Sequence, residues 1–426
     1  MNPGRAPSIR SPQRRTHLLN GLVRLSGSNR WVLLVGSFMA YMFDALEILL
    51  LSFTLPVIRA DLGLTTTQGG LLATATLLGI GVSSVSVGWL ADNYGRKRAL
   101  MLSLAVFGVF TAAIPVVHSF TVFLVLRFVA GLGLGGVWAV VSTYVVETWP
   151  AAQRGRAVAF VLSSFPIGGV IAASLSGALL PNWRLLFFLG GVGVVIPLVV
   201  VGLFFRESAE WAKQKTTPVK LTEIFAPELR RNTLLGAAVA ALAMFGAWGA
   251  STWLPTYLQT DKGIPAATVA VFMTVLNLGM FIGYNVFGLI ADRIGHKYAL
   301  VLSLAGVALT LPLYVVAADR TTLLWLGPMF AFFAAYAGVF GVYMSELFPT
   351  RVRTTGAGFC YNTGRGVSAL APLTLGVLAV NTGFGAGLLV CAVFMACAAI
   401  AMTFLPDLRG ATPLREPQRH TADSRP

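Results

Sequence analysis

The chain has 426 residues, of which 56% are hydrophobic and only 11% charged, with a mean hydropathy of +0.77. A soluble domain carries about 25% charged residues, so this composition excludes a soluble enzyme or binding module and leaves an integral membrane protein. The formal net charge of +15 raises nucleic acid as a partner, but the basic residues are distributed loop by loop rather than in one patch, and no nucleic acid is expected.

In chain order, residues 1–30 read as a basic tail (Arg5, Arg10, Arg14, Arg15, Arg24, Arg30) suited to anionic lipid headgroups. The apolar run that follows is too long for the core of a cleavable signal, so none is expected. A helix needs ~20 apolar residues to cross a bilayer. Twelve runs meet that length: 31–57, 68–90, 99–117, 120–146, 157–180, 185–205, 232–259, 267–291, 298–318, 322–344, 355–380 and 383–405. The spacing predicts an all-α membrane protein with a six-helix half over 31–205, a charged central loop over 206–231, a second six-helix half over 232–405, and a polar, disordered tail over 406–426. Outside the termini and the loops after even-numbered spans stand only Arg59, Arg184, Lys262, Arg320, Arg127 and Arg365 of the 31 basic residues. That bias places both termini in the cytoplasm, with the chain in the cell (inner) membrane.

Two loops repeat. Gly88-Trp-Leu-Ala-Asp92-Asn-Tyr-Gly95-Arg96-Lys97-Arg98-Ala-Leu100 returns as Gly288-Leu-Ile-Ala-Asp292-Arg-Ile-Gly295-His296-Lys297-Tyr-Ala-Leu300, identical at seven of thirteen positions. Glu147, Pro150 and Arg154 after the fourth run keep their spacing as Glu346, Pro349 and Arg353 after the tenth. Such duplication marks two parallel halves related by an axis along the membrane normal, which work by rocking against one another. Asp92 with Arg96, Asp292 with Lys297, and Glu147, Arg154, Glu346 and Arg353 are therefore expected to gate the face on which the halves meet. The glycines Gly131, Gly133, Gly135 and Gly136, and Gly279 with Gly283, read as close helix packing; a nucleotide loop needs a strand before it. Cys360, Cys391 and Cys397 read as small buried hydrophobes without a disulfide.

Four ionisable residues fall deep inside runs: Asp44, Glu47, Arg127 and Arg365. A charge there costs ~2.5–3.5 kcal/mol on insertion scales, so each faces a cavity or a partner. Asp44 and Glu47 are three apart and share a helical face. Two carboxyls that close in low dielectric cannot both carry charge easily, which suits a site that loads and releases a proton. The alternative is a lock, with either acid paired to Arg127. Arg127 is open between ligand and organiser of its half. Arg365 shares a face with Tyr361 and Ser368, and its guanidinium suits a two-pronged grip on carboxylate; its alternative is a structural partner for a carbonyl or an acid. Asn277, Trp138, Tyr336 and Tyr361 are candidate lining residues. Trp253 and Tyr257 read as outer-interface aromatics.

The loop Gly88-x-x-x-Asp92-x-x-Gly95-Arg96-Lys97-Arg98, its second copy, the twelve spans and the charged central loop resemble the major facilitator superfamily over almost the whole chain. Within it, Asp44-Ala45-Leu46-Glu47, Arg127-Phe-Val-Ala-Gly131, Arg206-Glu207-Ser208-Ala-Glu-Trp211 and Gly364-Arg365-Gly366 resemble the aromatic-acid/proton symporters and their relatives that carry organic or sialic acids. That branch shows Asp-Gly-x-Asp in helix 1, where this chain has Ala45 and Glu47. The resemblance implies a monomeric proton-coupled symporter that imports a small organic anion, an aromatic or other monocarboxylate, by alternating access. No cofactor or metal is expected. The rival readings are a drug/proton antiporter, for which Pro166-Ile-Gly168-Gly169 is a partial motif, and a sugar carrier. A membrane-embedded enzyme is disfavoured, because no zinc helix, nucleophile elbow or phosphate loop is present.

Overall fold

The computed structural model describes residues 13–149, 154–207, 221–349 and 352–408. Residues 1–12, most of the central loop (208–220) and the tail from 409 lie outside the described residues, as do the side chains of Asp92, Arg154 and Arg353. In lipid every backbone N–H and C=O must be paired within the segment, and among the described residues every regular element is a helix.

The first half holds α1 (Gln13–Leu62), α2 (Thr66–Tyr94), α3 (Arg96–Ala112), α4 (Phe120–Thr148), α5 (Arg154–Leu162 with Ser164–Leu179) and α6 (Trp183–Gly193 with Val195–Phe204). The second half holds α7 (Pro227–Thr260), α8 (Ala266–Ile294), α9 (His296–Val316), α10 (Arg320–Phe333 with Tyr336–Glu346), α11 (Arg353–Ser368, continuing from Ala371) and α12. The boundary of α11 and α12 is Gly383, at φ 76° and ψ 167° inside Ala371–Thr403. Twelve residues of straight helix would span ~18 Å, yet a Cβ on Gly387 would stand 3.7 Å from that of Leu375. The chain has doubled back, and only glycine takes that backbone at no steric cost. Two boundaries differ from the sequence expectation. α1 begins at Gln13, inside the expected tail, just past Pro12. α7 begins at Pro227, a residue suited to the first helical position, so Glu228, Arg230 and Arg231 belong to it rather than to the central loop.

Three of the four two-piece helices have a common cause. Their first pieces end at Leu162, Gly193 and Ser368, and four residues on stand Pro166, Pro197 and Pro372. Proline has no N–H to return to the carbonyl four residues back, so the ladder fails there.

Glycines set the contacts. A Cβ at Gly131 would meet the Thr76 carbonyl oxygen at 2.2 Å, and one at Gly133 would meet the Phe107 nitrogen at 2.5 Å, so α4 lies directly on α2 and α3. Gly279 and Gly283 seat α8 on the Pro328 and Phe332 carbonyls of α10 in the same way. Cys360 and Cys391 are buried free thiols, whereas Cys397 is exposed on α12 and departs from the buried reading.

The halves touch at the bundle end opposite the repeated loops. The Leu373 N–H donates to Thr74 Oγ1 at 3.2 Å, a Cβ at Gly70 would meet the Pro372 carbonyl oxygen at 2.6 Å, and one at Gly177 would meet Ala270 Cβ at 2.7 Å. At the repeat-loop end, Cβ atoms on Gly288, Gly341 and Gly358 would meet nothing within 4 Å. The bundle is thus closed at the far end, and nearer the repeat-loop end the halves still meet where Trp138 of α4 stacks on Tyr361 of α11.

Candidate functional site

A cavity of about 120 Å³ lies between the halves. α1 contributes Tyr41, Asp44, Ile48, Leu49 and Phe53, and α5 contributes Phe165. α7 supplies Met244, Ala247, Trp248, Ser251 and Leu254; α8 supplies Met273, Leu276, Asn277, Met280 and Tyr284. α10 adds Phe330, Ala334, Tyr336 and Ala337, and α11 adds Tyr361 and Arg365. The volume is comparable with the ~150 Å³ cavity that takes up benzene.

Asp44 is 3% exposed, and its buried Oδ1 has no hydrogen-bond partner. Arg365 faces the same cavity, with its guanidinium carbon 5.2 Å from the Tyr361 ring centroid. No described residue pairs with its guanidinium within ion-pair distance. Tyr361 is stacked on Trp138, with centroids 4.6 Å apart and planes 7° from parallel. Trp138 therefore buttresses the wall from behind rather than lining it. Asn277 donates its side-chain amide to the Met273 carbonyl at 2.7 Å. Its oxygen side crowds Gly169, where a Cβ would come within 2.2 Å.

Glu47 and Arg127 occupy a different place. Both are fully buried and form an ion pair through Arg127 Nη1 and Glu47 Oε1. Thr111 Oγ1 donates to the same carboxylate oxygen at 2.9 Å, and Arg127 Nε donates to Thr76 Oγ1 at 2.9 Å. The Arg127 guanidinium also sits 5.7 Å from the Phe187 ring centroid. The pair joins α1, α2, α3, α4 and α6 inside the first half and does not border the cavity. The joint placement expected for Asp44 and Glu47 is corrected by this geometry: three residues on a helix differ by about 60° in direction, enough to aim one acid at the cavity and the other at α4.

The repeated loops hold each half together. Arg96 Nη2 lies 3.2 Å from Glu147 Oε1, and at the matching place His296 Nδ1 lies 3.0 Å from Glu346 Oε2. Lys97 Nζ donates to the Gly202 carbonyl at 2.7 Å, at the end of α6. Lys297 Nζ donates to the Thr403 and Leu405 carbonyls at 2.8 and 2.6 Å, at the end of α12. A lysine at a helix C-terminus satisfies its last carbonyls and its dipole. So Lys297 is engaged by α12 carbonyls, where Asp292 was its expected partner. Glu207 Oε1 accepts the Arg96 N–H at 2.7 Å, bracing the start of α3. Glu207 and the two lysine-to-carbonyl links escaped sequence reasoning; the recurrence of Lys97 and Lys297 two hundred residues apart was the signal for the links.

Trp253 and Tyr257 are also corrected. They are buried rather than interfacial: Trp253 Nε1 donates to the Pro372 carbonyl and Tyr257 Oη to the Val315 carbonyl, each at 2.9 Å. Met273, Met280 and Phe330 were missed as lining. Met273, Asn277, Met280 and Tyr284 follow one helical stripe on α8, a spacing that would have found them.

A profile of the Major Facilitator Superfamily matches residues 33–372. The chain is 32% identical over 396 residues to the cis,cis-muconate transport protein of Acinetobacter baylyi, covering 89% of this chain and 96% of that protein. It is 31% identical over 370 residues to the sialic acid transporter NanX of Escherichia coli, covering 84% and 89%. The crystal structure of the D-xylose-proton symporter superposes with a TM-score of 0.75 over 90% of this chain and 100% of that one, at 15% identity, a likeness of fold.

Proposed function

The chain belongs to the Major Facilitator Superfamily, and from that premise we propose that it is a proton-coupled symporter importing a small organic anion, an aromatic or other monocarboxylate. It is a multi-pass membrane transporter and not an enzyme. The observation that carries the proposal is one cavity between the halves bordered by a buried acid, Asp44, whose Oδ1 has no hydrogen-bond partner among the described residues, and by the guanidinium of Arg365. Two relatives named for organic acids support the anion.

In this reading Arg365 grips the carboxylate with two parallel N–H donors, with Tyr361 and Tyr336 beside it and Asn277 further along the wall. Asp44 carries the proton. Glu47 and Arg127 hold the first half rigid, so their role is structural. The basic residues of the repeated loops put that end of the bundle, and both termini, in the cytoplasm of the inner membrane. The closed far end then faces outward, and transport proceeds by rocking the halves until that end parts. Asp92, Arg96, Glu147, Arg154, Asp292, Lys297, Glu346 and Arg353 lie at the helix ends that approach one another in that motion. The protein works as a monomer. A cation in the lining disfavours the antiporter reading, since a cationic drug would meet Arg365.

The test is uptake of labelled carboxylates into proteoliposomes with and without a pH gradient, corrected for protein-free liposomes. Proton-driven accumulation by the wild type and its loss in Asp44→Asn are the expected results; accumulation unaffected by the gradient would refute the coupling.

A further inference from the structure

The contact between Trp138 and Tyr361 crosses from one half to the other beside the cavity. Trp138 belongs to α4 and Tyr361 to α11, and their rings stack with centroids 4.6 Å apart and planes 7° from parallel. α11 starts at the repeat-loop end, at Arg353. Tyr361, four residues before Arg365, therefore stands about 6 Å nearer that end. The same ring carries the Arg365 guanidinium, whose carbon lies 5.2 Å from its centroid, within the range of a cation–π contact. Trp138 stands behind Tyr361 and touches the cavity only through it. Phe340 also approaches the Tyr361 ring, tilted by 48° with centroids 6.4 Å apart, but that contact stays within the second half. At the closed end the halves are tied elsewhere on α11 and its continuation, by Leu373 on Thr74 and Pro372 against Gly70. A rocking motion that keeps those ties and parts the repeat-loop end must pull Trp138 off Tyr361.

We propose that Trp138 is a positioning residue for the anion: through Tyr361 it steadies Arg365 while the halves meet on the cytoplasmic side, and it withdraws that support when they part there, so that the carboxylate is held more tightly from outside than from the cytoplasm. The inference rests on the reading of Arg365 as the carboxylate ligand and of the repeat-loop end as cytoplasmic. Arginine gives up much rotamer freedom when it is ordered. A guanidinium already seated on a ring that a second ring holds still has less to give up, and it presents its two parallel N–H donors in place. Without Trp138 the Tyr361 ring is free to turn between its side-chain rotamers, and the guanidinium on it loses its fixed aim. A carrier that releases its cargo inward needs this difference in affinity between its two states. By reciprocity, an anion on Arg365 favours the stacked arrangement.

The experiment measures KM for entry at each face of the full-length protein, in proteoliposomes of uniform orientation without a pH gradient, with labelled benzoate, 4-hydroxybenzoate and hexanoate. For the wild type the KM at the outer face is expected to be the lower. Trp138→Leu is expected to raise it about two- to ten-fold, the range that one aromatic pair supplies, and to leave the KM at the cytoplasmic face unchanged. Trp138→Phe keeps a ring against Tyr361 and is expected to stay close to the wild type. A merely structural loss would move both faces together. An equal rise at both faces in Trp138→Leu, or no rise at either, with KM still sensitive to Arg365→Lys, overturns the role of Trp138 alone. If Trp138→Leu does not fold, the wild type decides, since equal KM values at its two faces overturn the inference. KM values indifferent to Arg365→Lys, or no transport of any of the three acids, overturn the carboxylate reading and the inference with it.

Discussion

Two acids one turn apart have different surroundings, and the difference assigns their roles. Glu47 is fully buried against Arg127, with Thr111 donating to the same carboxylate oxygen, Oε1. Removing one partner from such a pair leaves a charge stranded and costs about 3–5 kcal/mol, while removing both is far milder. Arg127→Met is therefore expected to lower the thermal midpoint in detergent markedly, and Glu47→Gln combined with Arg127→Met to recover most of the loss. If the single and double variants unfold alike, the pair contributes nothing to stability. Glu47→Gln is further expected to retain proton-driven accumulation. At Arg365, lysine keeps the charge but loses the flat two-pronged donor, so Arg365→Lys is expected to weaken anion binding about ten-fold; an unchanged Kd in calorimetry would remove Arg365 from the site. Sequence reasoning found all four charged residues because charge inside an apolar run is conspicuous. It could not separate Asp44 from Glu47, since which side of α1 meets α4 and which meets the cavity depends on helix rotation, a tertiary fact.

At the scale of elements, the helices were legible as apolar runs and their contacts as glycines, because both follow from local chemistry. A Cβ at Gly131 would collide with the Thr76 carbonyl, while one at Gly358 would meet open space. Gly131→Ala is expected to cost about 1–3 kcal/mol through overpacking, read as a fall in thermal midpoint, and Gly358→Ala to leave it unchanged. A matching rise in both would mean that helix propensity, not close approach, governs these sites. The breaks in α5, α6 and α11 were equally present in the sequence as Pro166, Pro197 and Pro372, four residues past each break. They went unread because a span is identified by summed hydropathy, which a lost hydrogen bond does not alter. The reach of Lys97 to α6 and Lys297 to α12 was hidden for another reason: each partner is a backbone carbonyl more than a hundred residues away, and carbonyls leave no trace in a sequence.

Across the whole molecule, the two halves close at the end opposite the repeated loops, and the cavity lies between them. Gly177 and Ala270 approach at the closed end of α5 and α8, within the range a disulfide can bridge after small adjustment. A Gly177→Cys, Ala270→Cys pair, once oxidised, is expected to abolish transport and a reductant to restore it. Transport that persists with the bridge formed, verified by mass shift, would show that the far end need not open. The two-half architecture was readable from the repeated loops alone, whereas which end of the bundle is closed required the structure, because both states use the same helices and the same glycines.

The account rests on Asp44 and Arg365 acting on two cargoes in one cavity. The most direct measurement is proteoliposome uptake of a labelled monocarboxylate against the pH gradient, comparing the wild type, Asp44→Asn and Arg365→Lys, with equilibrium exchange measured on the same preparations. The expected result is that Asp44→Asn exchanges anion across the membrane but no longer concentrates it, while Arg365→Lys loses both activities through weakened binding. An Asp44→Asn protein that still concentrates the anion as the wild type does would contradict it.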